Sequence, residues 1–188
     1  MKIRSCIALS LVLIISGCVP SLHQLWTKET LVYDEAFVGS FKEGDNVWQF
    51  TGDPNDTSYE LVIAEKEGKK SQLDAHLVDV QGQLFFDFYP SDDAEIECGD
   101  WLKFHLVRAH LFLKVEKTKD AFSLAVMDSE EVGKLLQENP KLVKHEFIED
   151  SPLVLTDTPE NLQKFLIEAP KLNDKVFGDP MDLVRITD

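Results

Sequence analysis

Imidazoles are the first groups in this chain that could do chemistry. Of its five histidines, His76, His105 and His110 stand in or beside stretches of strand-like alternation. Three imidazoles can hold zinc or copper. No His-x-His or His-x-x-x-His pair occurs, however, and no cysteine stands with them. Hydrogen-bonded or solvent-facing histidines on a sheet fit this pattern better, and His76 and His105 alternate with the apolar rows. Asp92, Asp93, Glu95, Glu97 and Asp100 surround Cys98, without the glycine and final glutamate of an EF-hand loop. A solvated acidic loop is expected there, and its charge disfavours a Cys98 thiolate. There is no Gly-x-Ser-x-Gly elbow and no glycine-rich phosphate loop. No catalytic residue, metal ligand or cofactor is assigned, and an enzyme is not expected. The remaining candidates are aromatic: Phe41, Trp48, Phe50, Tyr59, Phe86, Phe88 and Phe104. Such rings either line a ligand pocket in a small barrel or fill its core.

The N-terminus carries a different chemistry. Lys2 and Arg4 precede an apolar run from Ile7 to Ile15, broken by Ser10, and the small residues Ser16 and Gly17 lead to Cys18. A basic start, a short apolar middle and a small-residue exit make a secretory signal. The run is too short to span a bilayer. Ile15-Ser16-Gly17-Cys18 resembles the lipobox of bacterial lipoproteins. The resemblance implies cleavage before Cys18, diacylation of its thiol and acylation of the new amine. Several acyl chains make a stable anchor where one binds marginally. Val19 stands where an aspartate would retain a Gram-negative lipoprotein at the inner membrane. The implied address is the cell envelope, and in a Gram-negative host the outer membrane, facing the periplasm.

Charge narrows the partners. The chain has 188 residues, 19 basic and 34 acidic, for a formal charge of −15. Loss of residues 1–17, with Lys2 and Arg4 and no acid, leaves 171 residues at −17. Nucleic acid and anionic headgroups are disfavoured, and a basic protein is favoured. Cys6 leaves with the signal and Cys18 is acylated, so Cys98 has no intramolecular partner.

The elements must position these groups without a disulfide. Residues 18–33 read as a lipidated N-terminus and tether, with Leu22, Leu25 and Trp26 free to dock on the domain. Residues 34–188 read as that single domain. From Ala36 to Met127 the apolar period is two, the mark of half-buried strands. Eight short runs are expected, centred on Phe37–Phe41, Trp48–Phe50, Tyr59–Ile63, Leu73–Leu77, Leu84–Phe88, Leu102–Leu106, Leu111–Val115 and Phe122–Val126. Turn formers such as Gln81-Gly82 separate them. The fold class is mainly β, an eight-stranded antiparallel meander closed as a barrel or clam. Two short C-terminal helices come after it. Asp128 caps the first, with Glu131 completing a capping box. Thr158 caps the second, with Pro159 at its first position and Ala169-Pro170 at its end. A strand pair is expected near His145–Ile148 and Leu153–Leu155.

Gly39-Ser40-Phe41 is similar to the Gly-x-Trp opening of lipocalins, with Phe41 in place of the tryptophan. The likeness covers about Ala36 to Pro140 and implies a cup-shaped barrel. The mature chain also resembles a group of uncharacterised bacterial lipoproteins, through Phe37-Val38-Gly39-Ser40-Phe41, Ala75-His76-Leu77-Val78, His105-Leu106-Val107 with His110, and Leu155-Thr156 through Leu166. That group lends no activity. The expected function is binding, of a small apolar or amphipathic ligand or of a protein. An anchored acidic inhibitor or chaperone of a basic envelope protein, as some small β-barrel lipoproteins inhibit lysozyme, is the alternative. An envelope hydrolase is the second alternative.

Overall fold

The structure, a computed structural model, describes residues 17–66, 68–92, 99–103, 105–118, 121–148 and 153–187. Ile15 and Ser16 of the lipobox, Cys98 and its neighbours 93–97, and Phe104 lie outside the described residues.

The chain opens with two short strands, β1 (Pro20–Ser21) and β2 (Leu31–Val32), and a 3-10 turn at Glu35–Phe37. Five antiparallel strands come next: β3 (Gly39–Glu43), β4 (Asn46–Asp53), β5 (Ser58–Ala64), β6 (Lys70–Val80) and β7 (Gln83–Pro90). Each pairs with its successor. A connection holding the single helical turn α1 (Asp100–Lys103) leads to β8 (His110–Lys117) and β9 (Ala121–Val126). Helix α2 (Ser129–Glu138), strands β10 (His145–Glu146) and β11 (Val154–Leu155), helix α3 (Pro159–Leu172) and strand β12 (Met181–Arg185) complete the fold.

Eight of these strands close into an antiparallel barrel. β12 pairs with β9 on one side and with β3 on the other, so neither is left as an edge. The closing strand is not the one expected. Leu102 lies in the α1 turn and Leu106 in no strand, and Met181–Arg185 takes the eighth place. The spacing of Leu102 and Leu106 suits a helical turn as well as a strand. Both side chains are exposed, so no core selects the extended form. The apolar side chains that β12 sends inward are only Leu183, fully buried, and Met181, partly buried. That is a short signal for a strand.

Two hydrophobic clusters share the barrel wall. The inner one contains Phe37, Phe41, Phe50, Tyr59, Leu77, Phe86 and Phe122 among others. The outer one joins Val78, Val80, Phe85 and Phe112 to the apolar faces of both helices, Val132, Leu135 and Leu136 of α2 and Leu162, Phe165 and Leu166 of α3. Strands β6 to β8 are therefore apolar on both faces, which is why Leu84-Phe85-Phe86 breaks strict alternation.

Residues 18–33 dock on this outer wall. Val19 and Leu25 are buried in the outer cluster, β1 pairs with β8 and β11, and β2 pairs with β6.

The helix ends keep to the expected pattern with three changes. Asp128 accepts from Glu130 N at 2.9 Å and Glu131 N at 3.0 Å. The capping box is only half made, because Glu131 turns to Asn173 and Asp128 N donates to Val176 O. Thr158 is the N-cap of α3 without a side-chain bond, and the buried Asp157 beside it accepts from Thr158 N and Asn161 Nδ2. α3 runs past Pro170 to Leu172, since a proline in the last turn removes a single helical donor.

Candidate functional site

The barrel has two unlike ends. At one, the 3-10 turn plugs the interior with Phe37, which packs on Phe122 at 4.9 Å between ring centroids. Tyr59 holds that turn, accepting from Asp34 N at 2.7 Å and donating to Asp34 O at 3.0 Å. Burial pushes the Tyr59 hydroxyl up to about 12. Arg185 crosses the Phe41 ring, 4.6 Å from its centroid, and donates to Val38 O and Ala36 O. Gly39 makes room for it: a Cβ there would fall 2.5 Å from Arg185 Nη1, and φ is +129°. Lys117 pairs with Asp34 and lies over Phe37. A recess of about 410 Å³ lies here, but both of its cations are engaged in holding the plug.

The other end is where the turn at Gly44-Asp45 and the β7–β8 connection lie. Trp48, Ile63, Leu73, Phe88, Leu111, Val126 and Met181, one from each of seven strands, belong to the inner cluster on this side. The eighth strand, β3, ends at Glu43, whose carboxylate accepts from Asn46 Nδ2 at 3.0 Å. Ile63, Leu73, Leu111, Val126 and Met181 are only partly buried. Among the described residues these side chains make an apolar rim at this end, called the mouth below. Trp48 is 8% exposed and leans on Phe88 at 6.2 Å. Among the described residues its buried indole Nε1–H has no acceptor. A buried unpaired donor is costly, and an ordered water or a bound group can satisfy it.

Six of the seven aromatic candidates are described, and all six share the inner cluster. Phe41, Phe50, Tyr59 and Phe86 fill the middle and the plugged end, in contacts such as Phe50 on Phe86 at 5.5 Å. Of the six, Trp48 and Phe88 lie nearest the other end. The alternation that placed these rings inside carries no information on which of them are covered by others.

The outer wall gathers a polar group that spacing did not disclose. Asp87 is 1% exposed on β7, beside His76 in the β6 register. Its Oδ1 lies 2.8 Å from His110 Nδ1, and its Oδ2 accepts from Leu25 N at 2.8 Å. Trp26 stacks on His76 at 5.0 Å, and Tyr89 covers His110 at 4.4 Å. His76 thus lies on the face opposite the barrel interior, as its alternation requires, but under Trp26 rather than in solvent. Burial lowers its pKa, against the pull of Asp87 and Asp74. His105 is exposed in the β7–β8 connection, apart from the other two. Among the described residues no three His, Cys, Asp or Glu side chains are set to hold a metal ion. The signal available in the sequence was Asp87 itself, a carboxylate inside Phe85-Phe86-Asp87-Phe88. A groove of about 510 Å³ adjoins His76 and is lined by Asp53, Glu60 and Asp74.

No family model matches the chain. No solved structure matches it. Over 90 residues, 47% of its length, the chain is 33% identical to ubiquitin carboxyl-terminal hydrolase 9 of Saccharomyces cerevisiae, and the match covers 12% of that protein.

Proposed function

We propose that this chain is a lipoprotein of the cell envelope, held to a membrane by acyl groups on Cys18, that binds an amphipathic small molecule at the Trp48 mouth of its barrel. In a Gram-negative host its place is the outer membrane, facing the periplasm. The observation that carries the binding reading is the buried Trp48 Nε1–H without an acceptor, set inside an apolar rim. Such a mouth suits an apolar chain with an oxygen near its end, the oxygen accepting from the indole. The nearby Glu43 carboxylate favours an uncharged acceptor over an anionic one. The aromatic packing elsewhere in the barrel limits the ligand to this mouth.

Binding rather than hydrolysis fits the outer wall. Asp87 spends its second oxygen on Leu25 N, and Tyr89 covers the His110 ring. A second reading rests on the acidic groove by Asp53, Glu60 and Asp74 together with the net charge of −15. There the chain would inhibit or chaperone a basic envelope protein, with binding that collapses as salt rises.

The test is titration with a monoacylglycerol, monitored by tryptophan emission. The wild-type chain should bind, and Trp48→Phe, which removes the donor and keeps an aromatic ring, should bind about two- to tenfold more weakly, the range of one hydrogen bond. Equal affinities would discard the mouth as the site.

A further inference from the structure

We infer that the connection between β7 and β8 dips into a bilayer with Trp101, Leu102, Leu106 and Val107, and so sets the Trp48 mouth at the membrane surface. This deepens the binding reading and rests on acylation of Cys18, both proposed above.

The connection springs from the rim of the mouth. Its β7 end is Pro90, paired with Leu73. Its β8 end is His110, and the next residue, Leu111, pairs with Phe88. Leu73 and Leu111 belong to the rim, and Phe88 is the ring on which Trp48 leans. Arg108 and Asp92 form an ion pair across the base. Past that base the chain turns twice: Leu102 N donates to Gly99 O and His105 N to Leu102 O, each at 2.9 Å. Four large apolar side chains stand out here. Trp101 is 84% exposed, Val107 75%, Leu102 53% and Leu106 45%. Elsewhere among the described residues the exposed large apolar side chains come singly or in pairs. Single ones need no explanation, but a group of four marks a contact surface.

The occupant follows from where the lipid joins the wall. Ser21 pairs with His110, the β8 end of this same connection. Cys18 comes three residues before Ser21. Extended chain of that length spans at most roughly 11 Å. It has no slack, since Val19 is 1% exposed in the outer cluster and Pro20 pairs with Leu111. A bilayer that holds the acyl groups of Cys18 is therefore within reach of the connection. Trp101 supplies the amphipathic ring favoured at the headgroup boundary, and the three aliphatic side chains supply apolar area beneath it. The net charge of −15 favours a zwitterionic surface over an anionic one.

The experiment uses the full chain, expressed with its own signal and reconstituted in phosphatidylcholine vesicles with or without brominated acyl chains. Mass measurement of each preparation reads the acyl groups. Trp101 is its own reporter, read as the emission that the wild type has beyond Trp101→Phe. Val184→Trp, made in the Trp101→Phe background, places a control on the exposed outer face of β12. Bromination should lower the Trp101 emission about twofold or more and leave that at position 184 unchanged. Acylated protein whose Trp101 emission is unquenched would overturn the docking and leave the anchor standing. If that protein also self-associates, and Trp101→Phe does not, the apolar group belongs to a second copy. Equal quenching at 101 and 184 would overturn the docking as well. Protein whose Cys18 carries no acyl mass would overturn both docking and anchor.

Discussion

Single side chains carry opposite duties on the two faces of the wall. Inside, Trp48 leaves a donor unused at the mouth. Outside, Asp87 leaves none of its acceptors idle, because Leu25 N and His110 take them. Asp87→Ala would strand both partners, Leu25 N in a fully buried residue and His110 under Tyr89. It should cost about 3 kcal/mol, read as a lower urea midpoint, with Asp87→Asn costing less because one acceptor oxygen remains. His76 and Tyr59 each contribute to the pH dependence of stability. Burial lowers the His76 pKa in the folded state, so below the ordinary histidine value near 6.5 the unfolded chain binds more protons. Stability should therefore fall as pH drops below about 6.5, and His76→Gln should flatten that slope in a series of thermal melts. Tyr59 acts at the other extreme. Its folded pKa of about 12 lies above the ordinary value of 10, so stability is lost as pH rises from about 10 toward 12. Tyr59→Phe should remove that loss.

At the level of elements, closure is the vulnerable step. β12 contributes few inward side chains, yet it covers the edges of both β3 and β9. Ending the chain before Met181 should expose two edges and yield aggregated protein, read by light scattering. Arg185→Ala should be milder. It frees the 3-10 plug from the last strand and should cost about 1–2 kcal/mol, since it removes a stacked cation and two charge-assisted bonds. Seven barrel strands and both helices were legible in the sequence, because each buries a periodic apolar face. The eighth strand was not, because Met181 and Leu183 alone make no period and Leu102, Phe104 and Leu106 imitate one. The docking of residues 18–33 was half legible. Leu25 and Trp26 mark an apolar segment, but the groups they cover, Asp87 and His76, belong to strands far along the chain. The mouth was legible only as a set of aromatics, since the pairing of Trp48 Nε1–H depends on neighbours that spacing cannot specify.

In the proposed reading the whole molecule joins an acyl anchor to a barrel whose outer wall its own N-terminal segment covers and whose interior is packed with aromatic rings. A carrier with a deep cup would leave its central rings uncovered. Here Phe41, Phe50 and Phe86 are at most 1% exposed and hold one another in place, so the ligand proposed above would be met at the rim. Loss of the thiol at residue 18 should abolish processing: Cys18→Ser should accumulate as precursor, 17 residues longer than the mature chain and without lipid mass. The most direct test is native mass spectrometry of protein drawn gently from the membranes of its own host, wild type beside Trp48→Phe. The wild type should appear as a chain beginning at Cys18, heavier by its acyl groups, with a further non-covalent mass that Trp48→Phe retains poorly. A chain without acyl mass, or a wild type and Trp48→Phe that carry the same bound mass in equal amount, would contradict an anchored binder with its site at the Trp48 mouth.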